Sequence, residues 1–284
     1  MTYSNLPIGT NNPGFVLFLV DQSKSMSEAF AEERTRAEIA ADAINGCIYE
    51  IICACMSGVS VKDRCHIGVI GYGGDYGQDQ DGRRTQAKIL LGGTVSEIHA
   101  RQARVRSVRK QTLTLTGARI EVEQEMPVWI EPAADHDTPM AAAFDEASEL
   151  ISLWIAENPH NFPPLVINIT DGEPTDEGKV DFEPATAAAQ RLMRLKTSDG
   201  CVLLLNAHID PSLGEEILLP SSEPTEPCAR FLYSISSELP PLLREAARAK
   251  NFSVEFGARG CVFNARAESL IGLIVFGSTP AVRR

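Results

Sequence analysis

Phe15-Val16-Leu17-Phe18-Leu19-Val20-Asp21-Gln22-Ser23-Lys24-Ser25 is the stretch on which the reading of this chain turns. Six apolar residues bounded by turn chemistry predict a strand buried on both faces. Downstream, Ala37, Ala40, Ala43-Ile44, Cys47-Ile48, Ile51 and Cys55 recur at helical spacing, with Glu38, Asp42 and Glu50 on the opposite face, so an amphipathic helix is expected straight after the loop. Strand then helix is the opening of a βαβ unit. Its loop lies at the carboxyl end of the sheet, where open α/β folds bind ligands. One carboxylate and two hydroxyls at alternating positions place three oxygens on one side of an extended loop. Hard cations such as Mg²⁺ take oxygen ligands.

Two distant segments join this loop. After the apolar run Leu165-Val166-Ile167-Asn168-Ile169 comes Thr170-Asp171-Gly172, a second strand ending in a carboxylate. Ahead of another helical stretch, whose stripe is Met140, Phe144, Ala147, Ile151 and Trp154, comes Asp137-Thr138-Pro139. Asp-x-Ser-x-Ser, then Thr, then Asp, in that order and on those elements, resembles the von Willebrand factor type A (vWA) family with a complete metal-ion-dependent adhesion site. The resemblance runs from about Phe15 to about Phe276. It implies a Rossmann-like, doubly wound, mostly parallel sheet with helices on both faces. It also implies metal ligation by Asp21, Ser23, Ser25, Thr138 and Asp171, with Mg²⁺ as the ion and Mn²⁺ or Ca²⁺ as substitutes. In the family one or both carboxylates act through water, which leaves the ion an open position for an Asp or Glu of a protein partner.

Each piece also has a plain structural reading. Ser23 and Ser25 are residues that cap a following helix, Thr138-Pro139 is an N-cap with proline in the first turn, and Asp171-Gly172 is a turn dipeptide. Three such accidents in one order favour ligation. The approach to Thr138 departs from the family's glycine-rich pattern: Asp135-His136-Asp137 stand there, and Glu173 follows Asp171. Asp135, Asp137 and Glu173 are therefore candidates for an accessory cation site, against the alternative of solvated loop charge.

The remaining pattern fits one α/β domain over residues 15–284, with a lead at 1–14. Strands are expected at His66–Tyr72, Val202–Asn206 and Cys261–Asn264, and helices near Pro184–Leu195, Leu242–Lys250 and through Leu270, Leu273 and Ile274. At about 75–131 the alternation breaks, and strands at Thr112–Thr116 and Ile120–Trp129 predict an inserted β-hairpin excursion. The chain carries a formal charge of −12, yet from Arg83 to Arg119 there are nine basic residues against Glu97 alone, leaving about −20 elsewhere. Arg83, Arg84, Arg101, Arg104, Arg106, Arg109 and Lys110 form a candidate patch for an acidic protein. Nucleic acid is disfavoured there, because the segment lacks interleaved aromatics and the rest of the chain repels phosphate.

The first residues lack a basic leader, and no run approaches the roughly 18 apolar residues of a membrane span. With seven cysteines set mostly in apolar segments, a cytoplasmic protein with reduced thiols is expected. Gly71-Tyr72-Gly73-Gly74 is not followed by the Lys and Ser/Thr of a phosphate-binding loop. Ser23 stands where a phosphoaspartyl hydrolase needs a second Asp, His66 and His208 lie in apolar strands, and His136 alone neighbours the site as a candidate acid or base. The expectation is a non-enzymatic, Mg²⁺-dependent protein-interaction module. It is similar to stand-alone bacterial vWA proteins of stress, tellurite-resistance and phage-defence operons, which implies a kinase, phosphatase or AAA ATPase encoded nearby as partner. The alternatives are a metal-dependent hydrolase of phosphoester or peptide bonds and a nucleic-acid-binding accessory acting through the basic insertion.

Overall fold

The computed structural model describes residues 8–31, 34–101, 104–113, 119–176, 178–210 and 214–277. Every residue of β1 (Gly14–Asp21) is buried. Val16, Phe18 and Val20 pack into one core with Ile44, Ile48, Ile167 and Leu205. Phe15, Leu17 and Leu19 enter a second core with Tyr72, Met140, Phe144 and Trp154. Burial on both faces explains the unbroken apolar run, and each large side chain so buried contributes roughly 1.5–3 kcal/mol.

The expected direct passage from β1 into a helix is corrected by the structure. A 3₁₀ turn (Lys24–Ser27) and a short antiparallel pair, β2 (Ala29–Ala31) and β3 (Arg34–Thr35), come before α1 (Arg36–Cys55). Thr35 caps α1. Its hydroxyl accepts from the Glu38 amide at 3.2 Å while the Glu38 carboxylate accepts from the Thr35 amide at 2.8 Å, a reciprocal capping box. Ser23 makes no side-chain cap to the 3₁₀ turn, so the two serines are released from the capping role.

After β4 (Met56–Ser57) and β5 (Ser60–Val61), the chain enters β6 (Cys65–Tyr72) and returns antiparallel as β7 (Ala87–Thr94). Then follow α2 (Val95–Ala100) and a separate antiparallel ribbon of β8 (Arg104–Leu113) and β9 (Arg119–Val128). Beyond it lie α3 (Met140–Glu157), β10 (Leu165–Thr170), the small pair β11 (Thr175–Asp176) and β12 (Lys179–Val180), and α4 (Phe182–Arg194). The chain continues through β13 (Leu203–His208), β14 (Ile217–Leu218), α5 (Pro227–Ser234), α6 (Pro241–Ala249), β15 (Cys261–Phe263) and α7 (Ala267–Gly277).

Seven strands form the central sheet in the order β14-β15-β13-β10-β1-β6-β7. The inner five run parallel, and the two edge strands are antiparallel to their neighbours. Side chains of α1, α2, α6 and α7 fill the core on one face and those of α3, α4 and α5 the core on the other. The arrangement is a mixed α/β sheet compatible with a Rossmann-like fold. Among the described residues no helix is long and apolar enough to cross a membrane.

Part of the stretch expected as an excursion belongs to the main sheet, since β7 closes its edge. The ribbon's first strand begins at Arg104 rather than Thr112, and Thr114–Thr116 lie outside the described residues.

Candidate functional site

The parallel strands β1, β6, β10 and β13 end side by side, so the residues that follow them meet at one edge of the sheet. Asp21, the last residue of β1, is fully buried. Its Oδ1 accepts the Ser23 amide at 2.9 Å, and its Oδ2 accepts the Thr170 hydroxyl at 2.6 Å. The Ser23 and Ser25 hydroxyls lie 3.2 Å apart. Ser25 then donates to Asp171 Oδ1 at 2.8 Å, joining the β1 loop to the β10 loop across 146 residues of sequence. Four of the five expected ligands thus form one chain of hydrogen bonds.

Thr138 arrives through backbone geometry. Residues 135–137 thread between the β1 loop and the end of β6. The Asp135 amide donates to the Gln22 carbonyl (2.8 Å), the His136 amide to the Gly73 carbonyl (2.9 Å), and the Lys24 amide to the His136 carbonyl (2.7 Å). Gly73 has φ +80°, and a Cβ there would sit 2.4 Å from the Asp137 carbonyl oxygen and 3.1 Å from the Ser23 nitrogen. Only glycine permits the approach. The Thr138 amide donates to the Thr175 hydroxyl (2.8 Å), and its carbonyl accepts the Thr175 amide (3.0 Å). The N-cap of α3 is Pro139, with no side-chain cap bond, so Thr138 is not the cap that its sequence position predicts.

The electrostatics are those of negative charge held out of water. Burial, followed by the neighbouring Asp171 carboxylate, pushes Asp21 up to about 7. Burial also raises Asp171, against the lowering pull of its bonds from Arg36 and Ser25. The oxygens drawn together are carboxylate and hydroxyl, a donor set that suits Mg²⁺, Mn²⁺ or Ca²⁺. Among the described residues no group of three or more His, Cys, Asp or Glu side chains is placed to hold a metal. A cation here would rest on two carboxylates and on hydroxyls.

Arg36 is the site residue that the sequence reading missed. Its side chain is 6% exposed, and it donates to Asp171 Oδ2 at 2.8 Å. It also pairs with Asp210 at 2.9 Å, just past β13, and with the exposed Glu28 at 3.1 Å. The signal was present: Arg36, Ala40, Ala43 and Cys47 follow one helical stripe, so an arginine stands on the buried face of α1. Thr170 and Thr175 were missed as well, being common residues with no motif of their own.

The accessory candidates are drawn elsewhere. Asp135 Oδ2 accepts the Asp75 amide at 3.0 Å, Asp137 faces Arg84 at 3.8 Å, and Glu173 is half-buried. None of the three is hydrogen-bonded to the Asp21–Ser25–Asp171 set. The basic patch is largely engaged: Arg104 pairs with Glu131, Arg106 with Asp42, and Arg101 donates to the Gly92 carbonyl. Arg83 is exposed. Arg109 and Lys110 stand opposite Glu123 and Val122 in the ribbon, with side chains outside the described set. Of the histidines, His208 is buried and stacks on Phe263 (ring centroids 4.2 Å apart), burial lowering it to about 4. His66 packs edge-on to Phe15 and Trp154.

No family model and no curated protein matches the chain. Among solved structures, it is similar to the pilus adhesin SpaC from Lactobacillus rhamnosus GG, at 14% identity and a TM-score of 0.44 over 70% of this chain and 24% of that one. It is also similar to the three N-terminal domains of the type V pili tip protein Mfa5 from Porphyromonas gingivalis, at 13% identity and a TM-score of 0.34 over 58% of this chain and 20% of that one. The chain thus spans a quarter or less of the length of either protein.

Proposed function

We propose that this chain is a vWA-type module whose sheet-edge loops form a metal-ion-dependent adhesion site. In this reading Asp21, Ser23, Ser25, Thr138 and Asp171 hold a divalent cation, Mg²⁺ by preference. The observation that carries it is the Ser25–Asp171 bond, which closes the β1 loop onto the β10 loop beside the buried Asp21 carboxylate. Asp171 has Arg36 as a partner, whereas the buried Asp21 carboxylate is held by hydrogen bonds from Ser23 and Thr170; a desolvated carboxylate is costly, and an ion beside it would offset that cost. With one or both carboxylates acting through water, the ion would keep residual positive charge and a coordination position for an outside carboxylate. The proposed activity is therefore capture of a protein partner through an exposed Asp or Glu.

The test is a pull-down of tagged protein from lysate of its native cell in Mg²⁺ and in chelator, with Asp21→Ala alongside. The expected result is a discrete partner retained only in Mg²⁺ and only by the unaltered chain, and lost when the partner's contacting acid is changed to alanine. Equal retention in all arms contradicts metal-dependent capture.

A further inference from the structure

Arg36 places a permanent cation against one of the two carboxylates that the proposed ion needs. Its guanidinium, on a side chain 6% exposed, takes Asp171 Oδ2, while Ser25 takes Oδ1. The same guanidinium reaches Asp210 just past β13 and Glu28 beyond the 3₁₀ turn. Around this point three carboxylates, those of Asp171, Asp210 and Glu28, face one arginine. A buried carboxylate stripped of its positive partner destabilises a fold severely, and Arg36 prevents that for Asp171 before any metal arrives.

Resting on the cation site proposed above, we infer that Arg36 is an internal counter-ion that weakens divalent binding and keeps the metal-free site folded, so that occupancy is reversible. The charge matters more than the tether, because Asp171 is separately fixed by the Ser25 hydroxyl and by its burial. Removing Arg36 thus takes away repulsion of the ion and leaves the ligand in place. Removing Glu28, which is 64% exposed, has the opposite sign: the cluster loses a negative charge and Arg36 leans further on Asp171.

The experiment is calorimetric titration of Mg²⁺ and of Mn²⁺ into the full chain, with metal-free melting temperatures measured in parallel. Arg36→Met is expected to bind about tenfold or more tighter and to melt lower without metal, the loss being recovered on adding Mg²⁺. Arg36→Lys keeps the charge and should stay near wild-type affinity, and Glu28→Gln should bind severalfold more weakly with little change in melting. A folded Arg36→Met with unchanged or weaker affinity overturns the inference. If that variant does not fold, Glu28→Gln decides, and unchanged affinity there overturns it. A wild-type chain that gives no binding heat with either ion fails differently: it removes the cation site itself, and the role of Arg36 with it.

Discussion

Asp21 occupies a position in which ionisation is opposed twice, by the loss of water and by the nearby Asp171 carboxylate. Its folded-state value of about 7 lies above the ordinary 3.8, so the folded chain holds a proton that the unfolded chain releases between those limits. The sign is unusual for an aspartate. In chelator this residue's stabilising contribution is largest at low pH, falls as pH rises toward 7, and is flat above. Between pH 5 and 8 the fall is expected to be roughly 2–3 kcal/mol. Urea unfolding of wild type and Asp21→Asn across that range checks it: the wild type should lose stability relative to the variant as pH rises. Parallel curves would show that Asp21 ionises as an ordinary carboxylate. Since only the carboxylate form binds a cation, divalent affinity should rise over the same interval.

At the scale of elements, the length of the β1–α1 connection explains which residues serve the site and which serve the helix. Thr35 and Glu38 fix the first turn of α1, which leaves Ser23 and Ser25 to face each other and Asp171. Thr35→Ala should therefore cost about 0.5–2 kcal/mol, read as a lowered urea midpoint with an unchanged slope. No shift would mean that packing alone sets the start of α1. The same region shows how far sequence reasoning reached. β1 and β10 were legible because inner strands of a parallel sheet are apolar on both faces, and α1 because its stripe runs for twenty residues. β7 was not, because its apolar run, Ile89-Leu90-Leu91, is short and ends in two glycines, as an edge strand with Lys88 and Ile89 exposed allows. α2, six residues long, is too short for periodicity to register. Asp21, Ser23, Ser25 and Asp171 came from a motif that the geometry draws together. Arg36 belongs to no motif, and only its place on the buried stripe of a helix betrayed it.

For the molecule as a whole, charge and topology bear on the same edge. The basic excess read between Arg83 and Arg119 stops just short of Glu121, Glu123 and Glu125, which lie on the partner strand of the ribbon. In the register of β8 and β9 Arg109 stands opposite Glu123, and with the three glutamates of β9 counted the ribbon is far less basic than the Arg83–Arg119 count implies. Four of the parallel strands, β1, β6, β10 and β13, meanwhile bring loops from four separate parts of the chain to one edge, with residues 135–137 laced between the β1 loop and the end of β6. This edge is expected to bind one divalent cation. The most direct measurement is Mn²⁺ titration followed by electron paramagnetic resonance, in wild type and in Asp21→Ala. One Mn²⁺ bound per chain, displaced by Mg²⁺ and absent in the variant, is the predicted result. Mn²⁺ that stays free in the wild type, or binds equally well without Asp21, would contradict it.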